Sequence, residues 1–135
     1  MGSWQKQGLP FYSQKVAYSQ NFNINKSGNS QYKVSLKNWN GSLSEVWVNG
    51  KEAGIIAWQP NALDVSDFVK EGDNEITIKV IGSLKNTFGF FYHNNNSWIH
   101  GPHAWNSAPK EIPSASDYFL MDYGLFEAFE LIETR

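Results

Sequence analysis

SEVWVNGKEAGIIAW, residues 44–58, is the stretch that decides the fold, because it carries the clearest local signal in the chain. Val46 and Val48 alternate with other residues up to Asn49-Gly50, a dipeptide that tolerates positive φ at both central positions of a type I′ turn. An apolar segment then returns through Ile55-Ile56. The stretch therefore predicts a β-hairpin, and with it a fold that contains antiparallel strands.

Apolar alternation recurs in three further segments, which lie on both sides of that hairpin. A side-chain period of two residues is typical of a strand that buries one face and exposes the other. Gln20 interrupts the first segment, whereas the last segment is the most regular and carries charged and polar residues on its opposite face. The apolar positions are Val16, Tyr18, Phe22 and Ile24; Tyr32, Val34 and Leu36; and Ile76, Ile78 and Val80.

Little of the chain favours helix. Residues 61–74 could begin a helix capped by Asp64, but Gly72 and its neighbours end it within two turns, so we expect only a helical turn. Residues 117–133 predict one or two closing strands, broken at Gly124. Short strands joined by Asn, Ser and Gly clusters favour an all-β fold, an antiparallel β-sandwich of the jelly-roll type.

Length and composition indicate one domain over residues 1–135, and we expect a soluble monomer. Residues 1–3, Met-Gly-Ser, are interpreted as a cloning remnant, and the domain is expected to come from a longer protein. With 11 basic and 13 acidic residues, the chain offers no electrostatic footprint for nucleic acid or an anionic membrane. No apolar run approaches the roughly 20 residues that span a bilayer.

Aromatic residues make up 16% of the chain, against 18% charged residues, so some rings must lie near the surface. Trp47 lies on the parity opposite to its flanking valines, and therefore either faces solvent or is covered by a second layer. Core or interface packing is expected for most of Trp4, Trp39, Trp47 and Trp58. Exposed Trp and Tyr faces can stack on another flat apolar face, such as that of a pyranose ring.

A stretch of about thirty residues, 83–115, shows neither strand nor helix periodicity, and loops of that length in compact domains are usually functional. It contains SWIHGPHAW at 97–105. We expect Trp98 or Trp105 to be a platform for a sugar ring, with polar neighbours as hydrogen-bonding partners. The alternative is that both rings plug the end of the sandwich. The expected contacts of a glycan are Tyr92, Asn94, Asn96, Trp98, His100, His103 and Trp105.

The chain resembles the galactose-binding-like jelly-roll domain of glycoside hydrolase family 2 and of related rhamnosidase-type enzymes. The resemblance runs in order through residues 7–24, 45–86 and 117–126, and its most specific part is VNGKEAG with the following Pro60 and LDVSDF segment. It implies a noncatalytic sugar-binding or accessory domain of a polysaccharide-degrading enzyme. The catalytic carboxylates of such an enzyme would lie on a separate barrel domain, which this chain does not contain.

Metal and catalytic sites are less favoured. His93, His100 and His103 could be drawn as a zinc site, but the Gly-Pro turn and the lack of a nearby carboxylate argue against it. The chain has no cysteine. We expect no cofactor, although a structural calcium ion is possible and the sequence does not place it. Asp117 and Asp122 are the nearest pair of carboxylates for a glycosidase, but turn chemistry and a solvent-facing strand position explain them better.

Two functions therefore compete. The first is a noncatalytic carbohydrate-binding module that keeps an attached catalytic domain near a polysaccharide or oligosaccharide. The second is a structural accessory domain, whose aromatic residues pack on the parent catalytic domain without a ligand of its own. Protein recognition by an adhesin-like sandwich rests on fold analogy alone. In the first two cases we expect a secreted, periplasmic or cell-surface protein, as part of a larger enzyme.

Overall fold

The computed structural model describes residues 1–26, 28, 30–88, 111–112, 114 and 118–134. They form a short 3-10 turn at Gln5–Gln7, nine strands and one helical turn. The elements are β1 (Lys15–Ile24), β2 (Gln31–Ser35), β3 (Trp39–Asn40), β4 (Leu43–Val48), β5 (Lys51–Ile56), β6 (Ala62–Asp64), β7 (Gly72–Ile81), α1 (Lys85–Phe88), β8 (Gly124–Leu125) and β9 (Glu130–Thr134).

Two antiparallel sheets form the body of the described fold. One contains four strands in the order β1-β7-β4-β5, and the other contains three in the order β6-β2-β9. Ile78 of β7 pairs with Tyr18 on one side and with Val46 on the other. A two-stranded pair, β3-β8, completes the pattern. The expected antiparallel β-sandwich is confirmed.

One hydrophobic core fills the space between the two sheets. The apolar parities expected from the sequence face inward: β2 and β7 alternate between exposed and buried positions, and β1 between exposed and half-buried ones. Val34, Val46, Ile76, Ile78 and Val80 are completely inaccessible to water. Because apolar side chains of both sheets meet in this layer, burial of their surface is the main force that holds the sheets together.

The 44–58 hairpin forms as expected, between β4 and β5. Asn49 has φ 51° and Gly50 has φ 78°, the positive pair that a type I′ turn requires. The side chain of Asn74, which is 1% exposed, accepts a hydrogen bond from Asn49 Nδ2 at 2.8 Å and donates one to the Lys70 carbonyl at 2.7 Å. This buried amide thus joins the hairpin turn to the segment that precedes β7.

Residues 61–74, which were expected to form only a helical turn, contain the strand β6, and the helical turn follows it. Asp64 Oδ1 accepts a hydrogen bond from the Ser66 backbone N–H at 2.9 Å, and this contact lowers the pKa of the Asp64 carboxyl. The Val69 backbone N–H donates to the Val65 carbonyl at 3.2 Å, one helical turn back. Gly72 then adopts φ 82° and begins β7.

The break predicted at Gly124 is in the wrong place. Gly124 lies within β8, and residues 126–129 separate β8 from β9. Its φ is 140°, and a Cβ at this position would lie 2.5 Å from the Gly2 carbonyl oxygen and 3.1 Å from the Trp4 ring. The glycine is needed because the N-terminal segment crosses directly over it, with the Gly2 N–H donating to the Leu125 carbonyl at 2.7 Å. Ser3 beside it is 6% exposed, and the interpretation of residues 1–3 as a cloning remnant stays a prediction.

Among the described residues, no helix is long and apolar enough to cross a bilayer.

Candidate functional site

The residues expected to contact a glycan fall in the part of the chain that leads from α1 towards β8. All seven of them, Tyr92, Asn94, Asn96, Trp98, His100, His103 and Trp105, lie outside the described residues, as do His93 and Asp117. The structure does describe the segments that precede and follow this stretch in the chain, residues 83–88 and 118–123. These segments define the loop end of the sandwich.

A single buried side chain fastens the two segments to each other. Asn86, which is 2% exposed, donates from Nδ2 to the Met121 carbonyl and accepts from the Met121 N–H at Oδ1, both at 2.8 Å. The amide thereby bonds both backbone hydrogen-bonding groups of one residue, as a neighbouring strand would. Thr87 adds a bond from its hydroxyl to the Phe11 carbonyl, also at 2.8 Å. Residues 83–88 and 118–123 are therefore held at fixed positions relative to each other.

A cluster of aromatic rings connects the N-terminal segment to the sheets near the Asn86 clamp, the pair of hydrogen bonds between Asn86 and Met121. Trp4 is 2% exposed, and its Nε1 donates to the Tyr18 hydroxyl at 2.7 Å. Its ring contacts Tyr12 edge-on at 5.7 Å between centroids and Tyr123 at 6.1 Å. The Tyr123 hydroxyl in turn bonds the hydroxyl of Ser83, at the start of the loop end. Such rings bury a large apolar area while their polar tips stay paired, which makes a rigid support.

Three exposed apolar side chains lie at the loop end. Of the nine large hydrophobic side chains that are exposed among the described residues, Leu84 and Phe119 belong to the loop end, and Phe11, whose carbonyl accepts from the Thr87 hydroxyl, contacts it. The Phe11 ring contacts the Tyr118 ring edge-on at 5.8 Å. The sequence did not single out these rings, because Tyr118 lies in a segment interpreted as a closing strand and Phe11 lies in no predicted element. Their meeting depends on a contact between positions 107 residues apart.

Lys85 has an unusual environment for a lysine at this end. Its Nζ lies 3.9 Å above the centre of the Phe119 ring, is inaccessible to water, and has no hydrogen-bond partner within the described part of the chain. Burial lowers the pKa of the Lys85 ammonium, because the charged form loses hydration that no acceptor replaces. The contact with the ring offsets part of this cost.

Asp122, the described one of the two carboxylates considered for catalysis, makes hydrogen bonds that hold the fold together. Asp122 is exposed and accepts a hydrogen bond from the Ser3 hydroxyl, while its backbone carbonyl accepts one from Asn40 Nδ2 at 2.6 Å. Asp117, its proposed partner, is not in the described ranges. No group of three or more His, Asp or Glu side chains in these ranges is arranged to hold a metal ion.

The remaining tryptophans take different positions. Trp39 and Trp47 are half-buried, whereas Trp58 is 76% exposed. Trp47 lies on the outer face of the four-stranded sheet, where Lys79 Nζ is 3.5 Å from its ring centre and Glu45 accepts from its Nε1 at 3.2 Å. The Lys15 ammonium beside Glu45 holds the pKa of that carboxyl below its ordinary value. A cation thus covers one side of the Trp47 ring.

A family model described as "Glycosyl hydrolases family 2, sugar binding domain" matches residues 3–117. Among curated proteins, the chain is 31% identical over 87 residues to a Formosa agariphila protein named as a beta-glucuronidase, a match that covers 58% of this chain and 7% of that protein.

Solved structures of enzymes give the same fold. The rhamnosidase from Novosphingobium sp. PP1Y superposes with a TM-score of 0.64 and 25% identity, over 92% of this chain and 11% of that one. The FMN-binding beta-glucuronidase from Facaelibacterium prausnitzii L2-6 has a TM-score of 0.54 and 19% identity, over 90% and 16% of the two chains, which shows the fold alone. The chain thus spans no more than 16% of the length of these three proteins.

Proposed function

Because the chain belongs to the sugar-binding domain family of glycosyl hydrolases family 2, we propose that it is a noncatalytic carbohydrate-binding module that works beside a catalytic domain of the same protein. The glycan would bind at the loop end, through Trp98 or Trp105 and their polar neighbours. The module would raise the local concentration of glycan at the attached enzyme rather than cleave any bond itself.

The observation that carries this proposal is the presence of two exposed aromatic rings at the loop end. Phe11 and Phe119 present partly uncovered rings at a surface whose underlying backbone is fastened by Asn86. Rigid aromatic faces beside hydrogen-bonding groups suit a sugar, which offers an apolar ring face and a rim of hydroxyl groups. A net charge of −2 on the whole chain also suits a neutral ligand.

The expected cellular location of the protein follows from its proposed function. A module that acts on a polysaccharide must reach its substrate, so we propose that the parent enzyme is secreted, periplasmic or held at the cell surface. The relatives named above are many times longer than this chain, which leaves room in them for a catalytic domain.

One observation favours the alternative, an accessory domain without its own ligand. Trp58 is 76% exposed and Ile55 is 48% exposed, and both lie at or just beyond β5, the edge strand of the four-stranded sheet. Exposed apolar side chains at a sheet edge are suited to packing against another domain. In this case the fold would serve the catalytic domain through that edge, and the loop end would stay unoccupied.

Binding of the isolated domain to polysaccharides separates the two functions. Affinity electrophoresis in gels that contain neutral plant and algal polysaccharides should retard the wild-type domain, and Trp98→Ala or Trp105→Ala should restore free migration. Loss of one stacked ring should weaken binding by about 1 to 3 kcal/mol, or about 5- to 150-fold, while leaving the melting temperature within about 2 °C. The matched control is Trp58→Ala, which removes an exposed ring far from the loop end along the chain.

Two results would contradict the proposal. Retardation that survives in both loop variants while their melting temperatures fall by several degrees would mean that the rings are structural plugs. Unretarded migration of the wild-type domain in every gel, together with a lowered melting temperature of the full-length parent in Trp58→Ala, would favour the accessory function instead.

A further inference from the structure

The first residues of the chain add a short extended segment alongside β8. The Gly2 N–H donates to the Leu125 carbonyl at 2.7 Å, and the Trp4 N–H donates to the Tyr123 carbonyl at 2.9 Å. The partner positions run in opposite directions along the two segments, as they do in antiparallel pairing. Residues 1–4, which we call the arm, therefore dock on β8 by strand addition.

The Trp4 ring anchors the arm in a slot that two glycines leave open. A Cβ at Gly82 would lie 3.0 Å from the ring atom Cζ3, and a Cβ at Gly124 would lie 3.1 Å from the ring atom Cδ1. The indole N–H donates to the Tyr18 hydroxyl at 2.7 Å. The slot thus matches one indole in shape and in its hydrogen-bonding group. The anchor lies outside residues 1–3, the predicted cloning remnant.

An exposed turn connects the arm to the rest of the domain. Residues 5–9 are all exposed. The Gln7 side chain donates to the Gly2 carbonyl at 3.1 Å, and the Gly8 N–H donates to the Gln5 carbonyl at 3.3 Å. Gly8 has φ 85°, a conformation that glycine adopts far more easily than other residues. Since these hydrogen bonds join residues of the N-terminal segment to each other, the turn can open while the slot stays intact.

The contacts of the arm can also form between two copies of the chain. An arm that leaves its own slot finds an identical slot in a second copy, and the exchange of two arms closes a symmetric dimer. The dimer gains the same contacts that the two monomers lose, so the balance depends on the tether. A short tether gives the arm an effective concentration in the millimolar range at its own slot. The exchange therefore competes when the protein itself approaches about 1 mM.

We propose that the slot between Gly82 and Gly124 also accepts the arm of a second copy of this chain, which produces an arm-exchanged dimer. The slot adjoins the loop end, because Tyr123, whose carbonyl accepts from the Trp4 N–H, is the last residue of segment 118–123. The five residues of the turn span at most about 17 Å when extended, so the dimer holds two loop ends close together. Only one consequence rests on the proposed function: two adjacent glycan sites would bind one polysaccharide with higher avidity.

A substitution in the turn tests the exchange. Gly8→Pro prevents the arm from folding back, because proline fixes φ near about −65°, whereas the turn has φ 85° at this position. Size-exclusion chromatography with light scattering at about 100 µM should find this variant mainly dimeric and the wild type mainly monomeric, with wild-type dimer appearing near about 1 mM. Gly8→Asn is the matched control and should stay monomeric at about 100 µM, since asparagine tolerates positive φ.

Isotope-mixed dimers show whether the arm makes the contact. When 13C-labelled and unlabelled Gly8→Pro are mixed in urea and refolded together, nuclear Overhauser effects should connect the Trp4 ring of one copy with the Tyr18 ring of the other. Addition of Trp4→Ala removes the anchor and should raise the dissociation constant of the dimer at least about 10-fold, as truncation of a buried aromatic anchor does. Addition of Gly124→Ala, which narrows the slot and keeps the ring, should act in the same direction.

The outcomes separate the exchange from glycan binding. A Gly8→Pro variant that stays monomeric at about 1 mM would overturn the proposal, because its arm would then be undocked rather than exchanged. A dimer without signals between Trp4 and Tyr18 of different copies, or one that persists unchanged in both double variants, would also overturn it. Affinity electrophoresis is the separate measurement. If the exchanged dimer forms and no polysaccharide retards monomer or dimer, the exchange stands and the proposed function fails, whereas a retarded monomer that never exchanges gives the reverse result.

Discussion

Replacement of Asn86 by alanine tests the link between the scaffold and the loop end. The Asn86 side chain forms hydrogen bonds with the N–H and the carbonyl of Met121, and these bonds hold residues 118–123 against α1. Alanine at this position removes both partners at once and adds nothing in their place. We expect Asn86→Ala to lower the stability of the domain and to weaken glycan binding at the loop end, because residues 83–88 and 118–123 would separate.

The magnitude follows from the two polar groups that lose their partner. Met121 is half-buried, so water replaces the lost hydrogen bonds only in part. An unsatisfied buried donor or acceptor costs about 1 to 3 kcal/mol, and we therefore expect a loss of about 2 to 4 kcal/mol in the free energy of unfolding. For a domain of this size, that loss corresponds to a fall of roughly 10 °C in the melting temperature.

Urea unfolding and affinity electrophoresis, performed on the same protein samples, measure the two effects. Asn40→Ala is the matched control, since it removes one hydrogen bond, from Nδ2 to the Asp122 carbonyl, at a more exposed position. It should cost about 1 kcal/mol and leave binding unchanged. A loss below about 1 kcal/mol for Asn86→Ala, with binding intact, would show that the loop end does not depend on this clamp.

Two further predictions concern single positions. Lys85→Met should leave stability at neutral pH equal to or above that of the wild type, because the lowered pKa of Lys85 means that the folded state disfavours its charge. That cost is present at neutral pH and disappears as pH rises past the unfolded-state pKa of about 10.4. Thermal unfolding between pH 7 and 11 should therefore show a smaller rise in stability for Lys85→Met than for the wild type, whereas the exposed Lys51→Met should follow the wild type. Gly124→Ala should lower the free energy of unfolding by about 2 to 4 kcal/mol, since its Cβ would meet the Gly2 carbonyl at 2.5 Å, whereas Gly28→Ala has open space and should cost less than 1 kcal/mol in the same urea titration.

The sequence by itself determined the longer strands and their inward faces, but not the short strands β3 and β6. A strand has a side-chain period of two, so the alternation of valine and isoleucine in β4 and β7 defines both the element and its buried face without knowledge of any partner. The same holds for the Asn49-Gly50 turn, since few residue pairs accept positive φ at both positions. The family was also identified from local motifs, because VNGKEAG and LDVSDF are each an unbroken stretch of sequence.

Only the tertiary structure decided which distant residues meet. Gly124 was interpreted as a break because glycine weakens an isolated strand, whereas its task is to make room for Trp4, 120 positions away in the chain. The clamp of Asn86 on Met121 and the slot that Gly82 and Gly124 leave for Trp4 likewise join segments that no local pattern connects. Alternation fixes which face of a strand is buried, but the order of the strands in space decides which inward side chains form a core and which positions leave room for another segment.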